Sequence, residues 1–145
     1  MRTKPTTQTK IRGTCLCGGV RFSISGPLRD IVVCHCGQCH QWHGQAAWYT
    51  QAETDDIHFE SRASLKWHRS SDSARRGFCA DCGSSLFWSP DDSSRWSITA
   101  GSLDKSTELK VCAHIFCENK PFFDEINDNY PQFSGSSKGL FDNCP

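Results

Sequence analysis

Short segments in which apolar and polar residues alternate recur along most of this chain. Val20, Phe22 and Ile24 alternate with polar neighbours, and the glycines at 18 and 19 just before them are typical of a turn. A period of two is typical of a β-strand with one buried face. The same kind of pattern, or a short β-branched or aromatic run, predicts further strands around residues 31–33, 46–50, 56–60, 64–68, 78–79, 86–88, 96–98 and 111–115.

This spacing predicts a mostly β fold, built as one small domain of short antiparallel strands. No window of 12 or more residues carries a clean stripe of period 3.6, so at most one helical turn is expected, after Leu103-Asp104 or near Ser73–Arg76. We interpret residues 1–12 as a flexible leader because they are polar, residues 13–133 as the domain, and residues 134–145 as a loose tail.

Composition changes the picture in one respect, which is the cysteine content. Ten cysteines in 145 residues, with only 37% hydrophobic residues, indicate a lean core that needs covalent or metal cross-links. The start of the chain lacks the apolar stretch of a secretory signal, which favours a cytoplasmic location and zinc over disulfides. Sixteen basic and sixteen acidic residues balance, so neither nucleic acid nor a membrane is an expected partner.

Two pairs of cysteines have the spacing of a closed zinc site. Cys15 and Cys17 form a C-x-C pair followed by Gly18-Gly19, and Cys79 and Cys82 form a C-x2-C pair followed by Gly83. Glycine after the second cysteine supplies the open backbone of a metal knuckle. Four thiolates complete a tetrahedron and leave no open position, so we expect a structural zinc.

A third group, Cys34, Cys36 and Cys39, offers three thiolates within six residues. Three protein ligands plus a water or substrate form a reactive zinc site, and such a zinc can bind an incoming thiol as thiolate at neutral pH. The alternative is a second structural site whose fourth ligand is a nearby histidine or a remote cysteine. The candidates for that ligand are His35, His40, His43, Cys112 and Cys117.

Several other residues are candidates for roles around these clusters. His40 and His43 are placed to transfer a proton to or from a small molecule on the second zinc, or are exposed loop residues. His114, in an alternating strand, fits a hydrogen-bonded structural histidine. Arg75-Arg76 is the densest positive charge, and a carboxylate-bearing substrate would use such groups. We interpret Cys112 and Cys117 as buried strand cysteines and Cys144 as a free thiol.

The order of these motifs resembles that of the glutathione-dependent formaldehyde-activating enzymes, a family that includes the domain of centromere protein V. The resemblance runs from about residue 13 to residue 133. The matching motifs are Cys15-x-Cys17-Gly-Gly-Val, Cys34-His-Cys36-x-x-Cys39, Phe78-Cys79-x-x-Cys82-Gly-Ser, Ala100-Gly-Ser-Leu-Asp104, His114-Ile-Phe116 and Tyr130-Pro-Gln-Phe133. It implies a complex coiled-sheet fold with two zinc ions per chain.

The resemblance also implies roles for the cysteines and an activity. In the family the first four cysteines hold a structural zinc and the group of three holds a catalytic zinc. The activity is the condensation of formaldehyde with glutathione to S-hydroxymethylglutathione, a carbon–sulfur lyase reaction run backwards. The alternative function is a non-catalytic zinc module that binds protein, with Trp42, Trp48 and Trp67 as its contact patch if they are exposed.

Overall fold

The computed structural model describes residues 10–105 and 107–136 of the chain. Most of the predicted leader and tail, and Cys144 with them, lie outside the described residues. The strands are β1 (Ile11–Thr14), β2 (Arg21–Ile24), β3 (Ile31–Cys34), β4 (Ala47–Glu53), β5 (Ile57–Ser61), β6 (Leu65–Arg69), β7 (Ala74–Cys79), β8 (Ser85–Pro90), β9 (Arg95–Thr99) and β10 (Val111–Ile115). The mostly β fold that the alternating pattern predicts is therefore confirmed.

The strands form two sheets. One has three strands in the order β1-β2-β5, and the other has seven in the order β10-β3-β4-β9-β8-β7-β6. All neighbours run antiparallel except β10 and β3, which are parallel. The prediction of antiparallel strands is wrong for this one pair, because the chain leaves β9 and returns to the far edge of the large sheet before it forms β10.

Aromatic side chains pack the two sheets against each other. Phe22 of the small sheet and Phe87 of the large sheet are about 1% exposed or less, and their ring centroids are 5.0 Å apart. Phe59 of β5 and Trp96 of β9 extend the same cluster. The strand alternation thus buries one face of each sheet in a shared core, and this core holds the first two strands at a fixed place on the large sheet.

Gly13 allows this close packing at the start of the domain. A Cβ atom on Gly13 would lie 2.2 Å from Cζ of Phe22, so only glycine leaves room for that ring. Gly13 also pairs with Leu103 in an isolated bridge. The last residues of the predicted leader, Ile11 and Arg12, belong to β1.

Neither position predicted for a helical turn carries a helix among the described residues. Residues 74–76 begin β7, and a 3-10 helix, Ala100–Ser102, comes before Leu103 rather than after it. The α-helix of the described chain, α1 (Gly37–His43), begins within the group of three cysteines and extends beyond it. It has seven residues and buries only Cys39, so it is too short to produce a periodic stripe. Within the described residues no helix is long and apolar enough to cross a membrane.

Candidate metal centres

The four-cysteine cluster, Cys15, Cys17, Cys79 and Cys82, joins two turns that belong to different sheets. Cys15 and Cys17 lie in the turn between β1 and β2, whereas Cys79 ends β7 and Cys82 lies in the turn to β8. Gly18 and Gly83 follow the pairs with φ angles of 82° and 79°, a left-handed conformation that favours glycine. A metal ion bound here would therefore fasten the small sheet to the large one.

The sulfur atoms of this cluster are spaced as zinc requires. All four lie within 4.8 Å of one another, with Cys15 Sγ 3.7 Å from Cys17 Sγ and Cys17 Sγ 3.6 Å from Cys79 Sγ. Zn–S bonds of about 2.3 Å in a tetrahedron would separate the sulfurs by about 3.8 Å. The donor set thus fits a closed tetrahedral zinc site.

Polar groups beside Cys15 and Cys82 favour the thiolate form of these two residues, whereas the neighbouring thiols raise the pKa of Cys17. The Val20 N–H donates to Cys15 Sγ at 3.3 Å. The Ser84 hydroxyl lies 3.1 Å from Cys82 Sγ, and this hydrogen bond lowers the pKa of Cys82 to about 5. Because a thiolate is the form that binds metal, these contacts prepare the cluster for an ion.

The three-cysteine cluster, Cys34, Cys36 and Cys39, is built where β3 runs into α1. Cys34 ends the strand, Cys36 is the N-cap of the helix, and Cys39 lies in its first turn. Cys36 Sγ accepts the Cys39 N–H at 3.3 Å, so the residue that caps the helix also carries a candidate ligand. This local arrangement brings the three sulfurs within 4.8 Å of one another.

Hydrogen bonds among the three thiols concentrate negative charge on one of them. The hydrogen bonds from Cys34 and Cys39 lower the pKa of Cys36 to about 2. The hydrogen bond between Cys34 and Cys36 at the same time raises the pKa of Cys34. A divalent cation would allow all three thiols to ionise, because its charge offsets the repulsion between neighbouring thiolates. Among the described residues no fourth cysteine, histidine or carboxylate joins the three sulfurs. The donor set therefore fits a metal with one position left for another ligand.

Arg76 approaches the three-cysteine cluster from β7 and is only 3% exposed. Its Nη2 lies 3.7 Å from Cys39 Sγ, and its Nη1 donates to the Tyr49 hydroxyl at 3.1 Å. Gln38 Oε1 accepts from Nε at 3.2 Å and from Nη2 at 2.9 Å. The sequence pointed to Arg75-Arg76 only as a contact for a substrate carboxylate. The alternation of side chains along β7 could have indicated a buried arginine, since adjacent residues of a strand point to opposite faces of the sheet.

His43 lies on the same side of the cluster as Arg76. Its Nε2 is 2.9 Å from the Tyr49 hydroxyl. Burial, and then the nearby Arg76 charge, lower the pKa of His43 to about 4, so the imidazole is neutral at pH 7. Because Arg76 donates to the Tyr49 oxygen, the tyrosine proton is free to point at His43 Nε2.

His40 belongs to a different set of contacts. Its Nδ1 lies 3.1 Å from the Cys36 carbonyl oxygen, and its Nε2 lies 2.9 Å from Asp124 Oδ2 at an angle outside hydrogen-bond geometry. Both ring nitrogens therefore face groups of the protein. Asp124 comes from the irregular segment after β10 and lies far from His40 in sequence.

Two buried histidines continue this network away from the cluster. His35 Nδ1 is 2.5 Å from Asp124 Oδ2, and His35 Nε2 is 2.8 Å from His114 Nδ1. His114 Nε2 lies 3.0 Å from both carboxylate oxygens of Asp128. Both ring nitrogens of each histidine thus have protein partners, and neither histidine joins the three sulfurs.

Two cavities flank the segment that links α1 to β4. The larger, about 1080 Å³, is lined by His43, by the basic residues Arg12, Arg21 and Lys105, and by the acidic residues Glu60 and Asp104. The smaller, about 410 Å³, is lined by His35, His114 and the acidic segment around Asp124. None of the three cysteines is among the lining residues of either cavity, but the larger cavity is lined by Ala47, which packs against Cys39, and by His43.

The structure differs from the sequence expectations for two cysteines and for the proposed tryptophan patch. Cys112 lies in β10 but is disulfide-bonded, and Cys117 begins a 3-10 helix instead of lying in a strand. Of the three tryptophans expected as a contact patch, Trp48 is 49% exposed. Trp42 stacks on His68, and Trp67 packs against the core, so the three form no common exposed surface.

Two cysteine clusters on a small two-sheet β scaffold could each hold a metal ion, with four sulfurs in one cluster and three in the other. Comparison with known proteins shows the family of the chain. A sequence model described as glutathione-dependent formaldehyde-activating enzyme matches residues 10–119. The chain belongs to that family. No curated protein matches the chain.

A solved structure of low sequence identity shares the fold. It is a crystal structure of a Rhodobacter sphaeroides protein from a structural-genomics programme, with a TM-score of 0.56 and 20% sequence identity. The match covers 69% of this chain and 98% of that one. At this identity the likeness concerns the fold alone.

Proposed function

We propose that the protein is a zinc-dependent carbon–sulfur lyase that acts on the adduct of an aldehyde with glutathione or another small thiol. The condensation of formaldehyde with glutathione, which the family's name describes, is the first candidate reaction. The observation that carries the proposal is the three-cysteine cluster, to which the described residues add no fourth ligand. A thiol substrate would take that position.

In this proposal each cluster holds one zinc ion. Cys34, Cys36 and Cys39 would hold the catalytic ion, and the four-cysteine cluster would hold the structural one. When bound, the catalytic ion would supply a Lewis acid that stabilises the substrate thiol as thiolate. A reducing compartment such as the cytoplasm would keep the seven cluster thiols available, and on this ground we retain a cytoplasmic location as part of the proposal, although the disulfide at Cys112 is the opposite signal.

The reaction forms one C–S bond and moves one proton. The substrate sulfur bonds to the carbonyl carbon, the C=O π electrons move to oxygen, and that oxygen takes a proton, so the thiol and the aldehyde add together without loss of atoms. We assign the proton transfer to His43, with the Tyr49 hydroxyl at 2.9 Å as its partner. Tyr49 accepts a hydrogen bond from Arg76 and packs against Cys39, so it places His43 near the cluster.

His40, the other candidate for proton transfer, supports the site differently. Its two ring nitrogens face Cys36 O and Asp124. We assign it to holding the start of α1 against the segment that carries Asp124, so it would fix the helix that supplies Cys36 and Cys39.

The larger cavity is the proposed binding place for the body of the substrate. His43 lines it, and three exposed basic residues, Arg12, Arg21 and Lys105, outnumber the two exposed acidic ones, Glu60 and Asp104. Glutathione carries two carboxylates, and cationic side chains are suitable partners for them. This cavity thus supports a small acidic thiol as substrate.

The test uses protein in which cobalt replaces zinc, because thiolate-to-cobalt absorption changes with the fourth ligand. Glutathione and cysteine should alter the absorption, whereas S-methylglutathione, which has no free thiol, should not. The same preparation loaded with zinc should accelerate the loss of free formaldehyde in the presence of glutathione. If no thiol changes the cobalt spectrum, the fourth position is filled by the protein and the lyase proposal fails in favour of a non-catalytic binding module.

A further inference from the structure

We propose that Arg76 is the specificity-determining residue of the three-cysteine cluster and makes its open position select a thiolate anion over a neutral ligand. The inference rests on the proposed function, since it requires an open fourth position. It assigns to Arg76 a role toward the ligand atom on the metal, not toward a carboxylate elsewhere on the substrate.

The position of the guanidinium group carries the argument. Arg76 is 3% exposed, and its Nη2 lies 3.7 Å from Cys39 Sγ, so a full positive charge is buried beside the sulfurs. A buried charge is unfavourable unless an opposite charge pairs with it. The described residues place no carboxylate in contact with this guanidinium, whose acceptors are Gln38, Tyr49 and the Cys39 sulfur. The thiolates are therefore its counter-charge.

The charge of the site explains the preference. One divalent cation with three thiolates has a net charge of −1, and a thiolate in the fourth position would make the net charge −2. A neutral ligand such as imidazole adds no charge. A fixed cation next to the sulfurs stabilises the doubly negative state more than the singly negative one, because the attraction grows with the opposite charge.

The surroundings hold Arg76 in this orientation. Gln38 Oε1 accepts two of its N–H groups, at 3.2 and 2.9 Å, and Tyr49 accepts a third at 3.1 Å. The Gln38 side-chain N–H in turn donates a hydrogen bond to the Ser70 carbonyl oxygen at 2.9 Å, which fixes the position of Gln38. The guanidinium is thus preorganised toward the cluster and is not free to turn to the substrate's carboxylates.

The chain offers a matched control in the adjacent residue. Arg75 lies on the same strand, but its guanidinium lies 4.0 Å from the centroid of the Trp67 ring on the other face of the sheet. Arg75→Met removes the same charge from the same strand and leaves the sulfurs untouched. Any effect common to both variants would be a general effect of charge or folding.

The experiment measures two dissociation constants on cobalt-loaded protein, one for 2-mercaptoethanol and one for imidazole, at a single pH. In Arg76→Met we expect the affinity for the thiol to fall about tenfold or more, which is about 1.4 kcal/mol, with the affinity for imidazole unchanged. Arg76→Lys should recover part of the preference because it keeps the charge, and Arg75→Met should behave as wild type. A loss that is equal for both ligands would overturn the inference and leave Arg76 with a structural role only.

A second variant covers the case in which Arg76→Met does not fold. Gln38→Glu places a carboxylate beside the buried guanidinium, from a residue that is itself exposed, and offsets the positive charge without removing it. It should lower the thiol affinity relative to imidazole as well, and an unchanged ratio would contradict the inference. If wild-type protein binds imidazole but no thiol, the Arg76 assignment is wrong. If it binds neither, the open position itself is absent, and the proposed function fails first.

Discussion

The two cysteine clusters should respond differently to the loss of a single ligand. Cys82→Ser removes a ligand from the cluster that joins the β1–β2 turn to the β7–β8 turn, so it should separate the two sheets. Cys36→Ser removes a ligand from the cluster at α1. Serine is a favoured N-cap, so its hydroxyl can still accept the Cys39 N–H that Cys36 accepts now. The second variant should keep its fold and lose its activity.

The expected magnitudes differ by several kcal/mol. A ligand loss that weakens structural zinc binding about a thousandfold costs about 4 kcal/mol. This is a large part of the ~5–15 kcal/mol that stabilises an ordinary domain. For Cys36→Ser we expect a change within about 1 kcal/mol, since the helix cap is retained and the four-cysteine cluster is intact.

The assay combines urea unfolding with elemental analysis of zinc. Wild-type protein should carry two zinc ions per chain, and each variant about one. Cys82→Ser should unfold at a much lower urea concentration or aggregate, while Cys36→Ser should unfold near the wild-type midpoint. Equal midpoints for the two variants would refute the division into a structural and a catalytic cluster, as would a wild-type protein with one zinc or none.

Two further predictions concern the surroundings of the clusters. Because burial holds the pKa of His43 near 4, below its ordinary 6.5, its contribution to stability is complete above pH 6.5 and is lost as the pH falls toward 4. His43→Gln should therefore lose less stability than wild type between pH 7 and pH 5 in urea titrations, and an identical loss would contradict the neutral buried imidazole. Gly13→Ala should cost about 1–3 kcal/mol, because its Cβ would lie 2.2 Å from the Phe22 ring. Gly101→Ala, whose Cβ would meet nothing within 4 Å, is the control, and equal urea midpoints for the two variants would show that the Phe22 contact relaxes at no cost.

Local spacing along the chain determined the strands, the two cysteine pairs and the three-cysteine cluster, whereas the packing of the two sheets brought the two pairs together. A C-x-C or C-x2-C pair closes one turn whatever the rest of the fold does, so Cys79 and Cys82 converge for reasons contained in four residues. The same holds for Cys34, Cys36 and Cys39, although the helix that unites the last two buries only Cys39 and left no periodic signal. The alternation around Phe22 likewise predicted β2 because a half-buried strand has a period of two.

Only the tertiary structure decided which side chains surround the clusters. Arg75 and Arg76 are equivalent in the sequence, and the register of β7 against its neighbours turned Arg76 toward Cys39 and Arg75 toward Trp67. His40 and His43 both follow the third cysteine, yet one reaches Asp124 and the other Tyr49. The Arg76–Cys39 and His40–Asp124 contacts join residues far apart along the chain, so their geometry depends on how sheets and loops pack, which the local pattern of the sequence does not contain.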